Sequence, residues 1–259
     1  MEPIIKLKNV KWQREGKKIL DDVNWEVNSK EHWAILGLNG SGKTTLLNMI
    51  NGYIWPSEGE MEVLGCTFGK TDIRELRKRI GWVSSSLSAR IQGTTDTQDV
   101  VVSGKFASVG LYDMPTERDF EKAFALMERI GVRHLIGRSY ETCSQGEQQK
   151  LLIARGLMAD PELLILDEPT NGLDFLSREE LMKTINELAR SEKAPTIILV
   201  THHIEEILPV FSHTLLLRGG EVYAQGANED VLKEESLSDF FNYPVSVEWQ
   251  EGRAWLKVK

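Results

Sequence analysis

The stretch "HWAILGLNGSGKTTLLNMINGY", residues 32 to 53, decides how this chain is read. Its first part is a short apolar run of the kind found in a buried strand. "GLNGSGKT", Gly37 to Thr44, then fits G-x-x-x-x-G-K-[ST] in full. "KTTLLNMI" continues as a helix, with Gly52 placed to end it. A glycine-rich turn between strand and helix suits a polyphosphate. Glycines at Gly37, Gly40 and Gly42 let successive backbone N–H groups turn inward, and the helix presents its N-terminus to the anion. Asn39 and Ser41 complete the turn, Lys43 is expected to reach the β- and γ-phosphates, and Thr44 to offer its hydroxyl to Mg²⁺. Thr45 is a further donor to the α-phosphate.

Outward from this turn, the first 30 residues read as strands. "IIKLKNV" and "VNWEV" alternate apolar and polar positions around the turn "REGKK", and "PSEGEMEVLG" reads as a returning hairpin. From about residue 94 to 158 the pattern becomes helical. In "TERDFEKAFALMERIGV", Thr116 and Asp119 match a capping box, and Phe120, Ala123, Phe124, Met127 and Ile130 form one apolar stripe. A second helix is expected from about Gly146 to Met158. Strands return in "ELLILDEP", "PTIILVTHH" and "HTLLLRGGEVYAQG", and short apolar strands alternating with helices imply a parallel α/β sheet. The tail "VSVEWQEGRAWLKVK" reads as a hairpin around Glu251-Gly252.

Composition narrows the function classes. The chain has 259 residues, 41% hydrophobic and 27% charged, the balance of a globular protein. A net charge of −8 argues against a general affinity for nucleic acid. The basic run "RELRKR", Arg74 to Arg79, reads as a solvated helix face. Cys66 and Cys143 have neither disulfide-framework nor metal-site spacing, which suits a reducing compartment. No apolar run approaches the roughly 20 residues that span a bilayer, and the N-terminus lacks a signal-like segment. A cytoplasmic location is expected, peripheral at the inner face of a membrane if a partner holds it there.

"LLILDEPT", residues 163 to 170, is an apolar strand ending in two acids. By themselves these could be surface charges at a strand end. Beside a phosphate cradle, Asp167 can hold Mg²⁺ and Glu168 can polarise an attacking water. Between the two elements lies "CSQGEQQKLLIARGL", Cys143 to Leu157. Here the chain resembles the ATP-binding cassette (ABC) ATPases over nearly its whole length. "CSQGE" corresponds to their signature LSGGQ: Ser144 and Gly146 match, whereas Cys143, Gln145 and Glu147 depart.

The resemblance implies an α/β fold: a P-loop NTPase (RecA-like) core with an antiparallel β subdomain and an inserted helical subdomain. It places the nucleotide-binding core at residues 1–86 and 160–240, the helical subdomain at 87–159 and a hairpin appendage at 241–259. It implies Mg-ATP hydrolysis in a sandwich of two cassettes, with Ser144, Gln145, Gly146 and Glu147 serving the other cassette's nucleotide. "NGLD" places Asp174 at the D-loop acid, "VTHH" places His202 at the switch histidine, and Trp12 lies where an aromatic ring stacks on adenine. A core or edge-strand role for Trp12 stays open on the residues alone. Lys43, Glu168 and His202 are thus the expected catalytic groups.

"IGWVSSSLSARI", residues 80 to 91, departs from the family. The segment usually reads I-G-Y-V-P-Q, and its glutamine touches Mg²⁺ and water; here Ser85 stands in that place. Serine is shorter, so it would join the metal's surroundings through water or a moved backbone. Slow hydrolysis and weak coupling to a membrane partner are the expected consequences. The same loop resembles a branch of cassettes associated with molybdate-transport operons. Three functions compete: the energising subunit of a transporter with separate membrane-spanning subunits, a non-transport ABC ATPase, and a small-molecule kinase, which leaves residues 144–174 and His202 unexplained.

Overall fold

The computed structural model describes residues 3–67, 72–106, 110 and 114–259. Its packing divides the chain into two units, one formed by Met1–Leu76 with Thr196–Lys259 and one by Arg77–Pro195. The segmentation expected from the motifs follows chemistry, and the two do not coincide.

The first unit opens with strands β1 (Pro3–Arg14) and β2 (Lys17–Asn28), followed by β3 (Trp33–Leu36), helix α1 (Lys43–Ile50), β4 (Glu58–Val63) and β5 (Cys66–Thr67). β1, β2, β4 and β5 form an antiparallel sheet in the order β2-β1-β4-β5. Ile5, Leu7, Val10, Leu20, Val23, Trp25 and Val27 face its buried side. The opposite face pairs Lys6 with Glu62 and Lys8 with Glu60 across the strands, so opposite charges share the exposed surface. The glycine of the "REGKK" turn adopts a positive φ of 77°, as the hairpin reading requires.

Helix α2 (Ile73–Lys78) carries the basic run as far as Lys78 and buries only Leu76. The second unit continues with β6 (Ile80–Ser84), α3 (Ser85–Ser88), α4 (Thr97–Ser103), α5 (Glu117–Arg129), α6 (Gln145–Leu157), β7 (Leu163–Asp167) and α7 (Phe175–Ala189). β6 and β7 pair in parallel, with Ser84 opposite Asp167. The Thr116–Asp119 capping box is formed at α5. Asp119 accepts from Lys105 Nζ at 2.7 Å, and that ion pair, with the Thr116 N–H, holds the carboxyl at about 2. On the expected stripe Ala123, Met127 and Ile130 are buried, while Phe120 and Phe124 are half-buried and pack on each other.

Returning to the first unit, β8 (Thr196–Thr201), β9 (His213–Arg218), β10 (Glu221–Ala227), the short helices α8 (Asn228–Val231) and α9 (Glu234–Phe241), and strands β11 (Val245–Gln250) and β12 (Arg253–Val258) complete the chain. β3 lies between β8 and β9, parallel to both, and is buried along its length, as expected of a central parallel strand. β11 and β12 form the terminal hairpin around Glu251-Gly252. Cys66 and Cys143 are both buried.

Candidate functional site

The cradle is built where β3 stops and α1 begins. Gly42 caps α1 in the left-handed region with φ 105°, a conformation that a side chain strains. A Cβ at Gly37 would stand 2.5 Å from Ser41 Oγ and 2.7 Å from the Leu217 carbonyl oxygen, so the turn closes only around a bare backbone. Lys43 is buried, and its Nζ donates to the Gly37 carbonyl at 2.6 Å and the Leu38 carbonyl at 3.3 Å. The lysine is thereby folded along its own turn. Ser41 is 5% exposed and its Oγ has no hydrogen-bond partner among the described residues. An unpaired buried hydroxyl costs roughly 1–3 kcal/mol, a penalty that an acceptor entering the turn would relieve. Asn39, Gly40 and Thr44 are exposed, and Thr45 is half-buried. The Ser41 hydroxyl is left for an acceptor, and the cationic side chain is held inside the turn. Such a turn can hold an anion.

Trp12, on β1, is half-buried, and His202 is exposed immediately after β8. These two share the cradle's unit. The His202 and His203 rings lie 4.1 Å apart. Beneath them, Thr201 Oγ1 accepts from the His203 N–H at 2.9 Å and donates to Glu206 Oε2 at 2.6 Å. Glu206 is fully buried. Nothing in "THHIEEIL" announced that its second acid turns inward.

Asp167, Glu168, Asp174, Ser144–Glu147 and Ser85 belong to the second unit. β7 is buried from Leu163 to Leu166, and Asp167 and Glu168 emerge half-buried at its end. Glu168 adopts φ 48°, a costly conformation for a residue with a side chain. The backbone thus turns sharply at the acid read as general base, while the Asn171 N–H donates to its carbonyl. Asp174 caps α7: Oδ1 accepts from the Ser177 N–H at 3.0 Å and Oδ2 from the Ser177 hydroxyl at 2.8 Å. The Ser177 N–H and hydroxyl hold that carboxyl below its ordinary range.

The signature turn is a capping box on α6. Ser144 Oγ accepts from the Glu147 N–H at 3.3 Å and donates to Glu147 Oε2 at 2.9 Å, and the Ser144 N–H donates to the same oxygen at 2.7 Å. His134 Nε2 lies 3.2 Å from Glu147 Oε1. Burial raises the Glu147 carboxyl, but the Ser144 N–H, His134 and the Ser144 hydroxyl outweigh it and hold it below the ordinary range. Gln145 lies beside Gly172, whose absent Cβ would stand 3.4 Å from Gln145 Oε1. The side chain that departs from LSGGQ therefore lies against the D-loop turn of its own chain.

The serine stretch is not a plain loop. Ser84 Oγ accepts from the Leu87 N–H at 3.3 Å and caps the single turn α3. Ser84 and Ser86 hydroxyls are 2.9 Å apart, and Ser88 Oγ is 2.9 Å from Tyr140 Oη. Ser85, at the glutamine position, is exposed.

A strand–turn–helix cradle in an α/β fold defines the class: a P-loop NTPase carrying cassette-type motifs. The sequence profile of the ABC transporter family matches residues 20–171, more than half of the chain, and the chain belongs to that family. It is an ABC-type ATPase. It is similar to an uncharacterized ABC transporter ATP-binding protein, YlmA, of Bacillus subtilis, with 50% identity over 98% of this chain and 96% of that one. Among solved structures it is similar to cbiO1 of Clostridium perfringens, part of the ABC transporter complex cbiONQ. That match has a TM-score of 0.78 and 29% identity, over 93% of this chain and 95% of that one. A dimeric ATP-binding cassette bound to ADP and Pi in a post-hydrolysis state matches at TM-score 0.72 and 27% identity, over 86% of this chain and 98% of that one.

Proposed function

We propose that the chain binds Mg-ATP at Gly37–Thr45 and hydrolyses it as one of two cassettes, energising a transporter whose membrane-spanning subunits are separate chains. The observation that carries this reading is the cradle: collision-limited glycines, a lysine held along the turn and a buried Ser41 hydroxyl with no partner. In this reading the backbone N–H groups and Lys43 bind the phosphates, Trp12 stacks on adenine, and Glu168 orients and deprotonates the water while His202 holds the γ-phosphate.

Mg²⁺ supplies charge neutralisation of the phosphates. Thr44 and Asp167 are the groups proposed to hold it, with Ser85 acting through water. Among the described residues no cluster of three or more His, Cys, Asp or Glu is arranged to hold a metal ion. Much of the coordination therefore falls to phosphate oxygens and water, the common habit of Mg²⁺. Ser144, Gln145, Gly146 and Glu147, with Asp174, serve the nucleotide of the second cassette. The functional segments remain 1–86 with 160–240 for the core, 87–159 for the helical subdomain and 241–259 for the appendage.

No helix among the described residues is long and apolar enough to cross a membrane, so transport on this reading needs other chains. The place of action is the cytoplasmic face. Glu168→Gln with ATP should run as a dimer in size-exclusion chromatography; monomer alone at micromolar concentration contradicts the sandwich. A second reading, a non-transport ABC ATPase, is favoured by Ser85 at the glutamine position. Co-purification of a multi-spanning protein from membranes supports transport, and its absence under the same conditions supports the second reading.

A further inference from the structure

The terminal hairpin is fastened to the segment that follows His202. Arg253, the first residue of β12, donates through Nε to the backbone carbonyl of Glu205. Its guanidinium lies 5.2 Å from the centroid of the Trp255 ring, which restricts where the side chain can swing. At the hairpin turn Gly252 lies against Pro209: an added Cβ would stand 3.1 Å from Pro209 Cγ. The other end of the hairpin is anchored independently. Ser238 Oγ of α9 donates to the Val245 carbonyl and accepts from its N–H, each at 3.1 Å. Val245 and Ala254 are buried. The hairpin is thus a seated element whose turn reaches residues 205–209.

The segment it reaches is short, with Ile204, Glu206 and Ile207 buried. Residues 204–206 make one 3-10 turn, with the Glu206 N–H donating to the His203 carbonyl at 3.2 Å and the Ile207 N–H to the Ile204 carbonyl at 3.0 Å. From inside, the Thr201–Glu206 hydrogen bond fixes its start. From outside, Arg253 holds the Glu205 carbonyl. His202 sits just ahead of this turn, its ring against His203, and His203 Nδ1 is 3.4 Å from Glu205 Oε1.

We propose that Arg253 is a positioning residue for His202: the hairpin clamps the 203–207 turn and so sets where the His202 ring stands. The inference rests on the reading of His202 as the γ-phosphate contact. A side chain displaced by about an ångström in a phosphoryl-transfer site loses much of its rate contribution, whereas nucleotide affinity is carried by the cradle.

The test is steady-state ATP turnover by the full chain as Arg253→Ala, Arg253→Lys, His202→Ala and the double variant, together with backbone amide exchange. Arg253→Ala should lower kcat roughly tenfold with KM for ATP within about twofold, and Arg253→Lys, which keeps one donor, should restore most of the rate. In the His202→Ala background Arg253→Ala should cost nothing further. The Glu206 and Ile207 amides should exchange faster in Arg253→Ala while those of β3 and β8 stay protected.

An unchanged kcat, an equal loss in both backgrounds, or unchanged exchange at Glu206 and Ile207 overturns the proposal. If the double variant is too slow to measure, the exchange result decides. Wild-type turnover by His202→Ala fells the reading of His202 and the clamp's catalytic role with it. A wild-type rate in Arg253→Ala beside an impaired His202→Ala fells the clamp alone.

Discussion

Two glycine-bearing turns, each opening a helix, treat their hydrogen bonds in opposite ways. In the cradle the Ser41 hydroxyl is buried with no hydrogen-bond partner among the described residues. In the signature turn the Ser144 N–H and O–H both go to Glu147. The glycines differ in the same sense. Gly37 has no room for a Cβ, while one on Gly146 would make only ordinary contact with Ser177 Cβ at 3.4 Å. One turn keeps a buried hydroxyl that an entering acceptor could satisfy. The other satisfies its own serine through Glu147.

The largest consequence falls on Gly37. Gly37→Val should abolish ATP binding in calorimetry and destabilise the fold by about 1–3 kcal/mol, because its branched side chain meets the Leu217 carbonyl. Gly146→Ala should instead keep its Tm and its ATP affinity while turnover falls. A binding-competent Gly37→Val would erase the contrast. Next comes Lys43→Ala, expected to weaken ATP binding roughly 10–100-fold, the worth of a charge-assisted hydrogen bond, without loss of fold.

Smaller again is Glu147→Gln. An amide keeps the capping box but releases the charge-assisted grip on the Ser144 hydroxyl, so kcat should rise roughly two- to fivefold with Tm nearly unchanged. A fall in kcat would show that the carboxylate assists the signature serine rather than restraining it. Ser85→Gln should raise turnover and its Mg²⁺ dependence in parallel; equal rates end the claim that the missing glutamine matters.

The smallest effect concerns acid stability. Asp119 has its carboxyl held at about 2, below its ordinary 3.8. A depressed value stabilises the folded state above the ordinary value and loses that contribution as pH falls from about 4 towards 2. Asp119→Asn should therefore flatten the acid limb of the pH–stability curve in that window and leave its neutral limb parallel to the parent's.

What the sequence made legible was local. The cradle, the Thr116–Asp119 box and the acids ending β7 each follow from the needs of a few adjacent residues: positive φ, orphan N–H groups, a strand end. The serine turn was not legible, since its helicity arises from one hydroxyl, Ser84 Oγ, reaching the Leu87 N–H, and "SSSLS" carries no periodicity. Nor was the capping of α7 by Asp174, the residue read at the D-loop position. Least legible was Arg253: its partner lies 48 residues away, and the seating of the hairpin on α9 and against Pro209 accompanies their meeting.

Single-turnover cleavage of prebound ATP by Glu168→Gln tests the central claim most directly, because binding and chemistry are read in one sample. The account predicts ATP affinity equal to the parent's with cleavage slowed about 10²–10⁴-fold, the usual worth of a general base. Cleavage of the bound nucleotide at the parent's rate would contradict it.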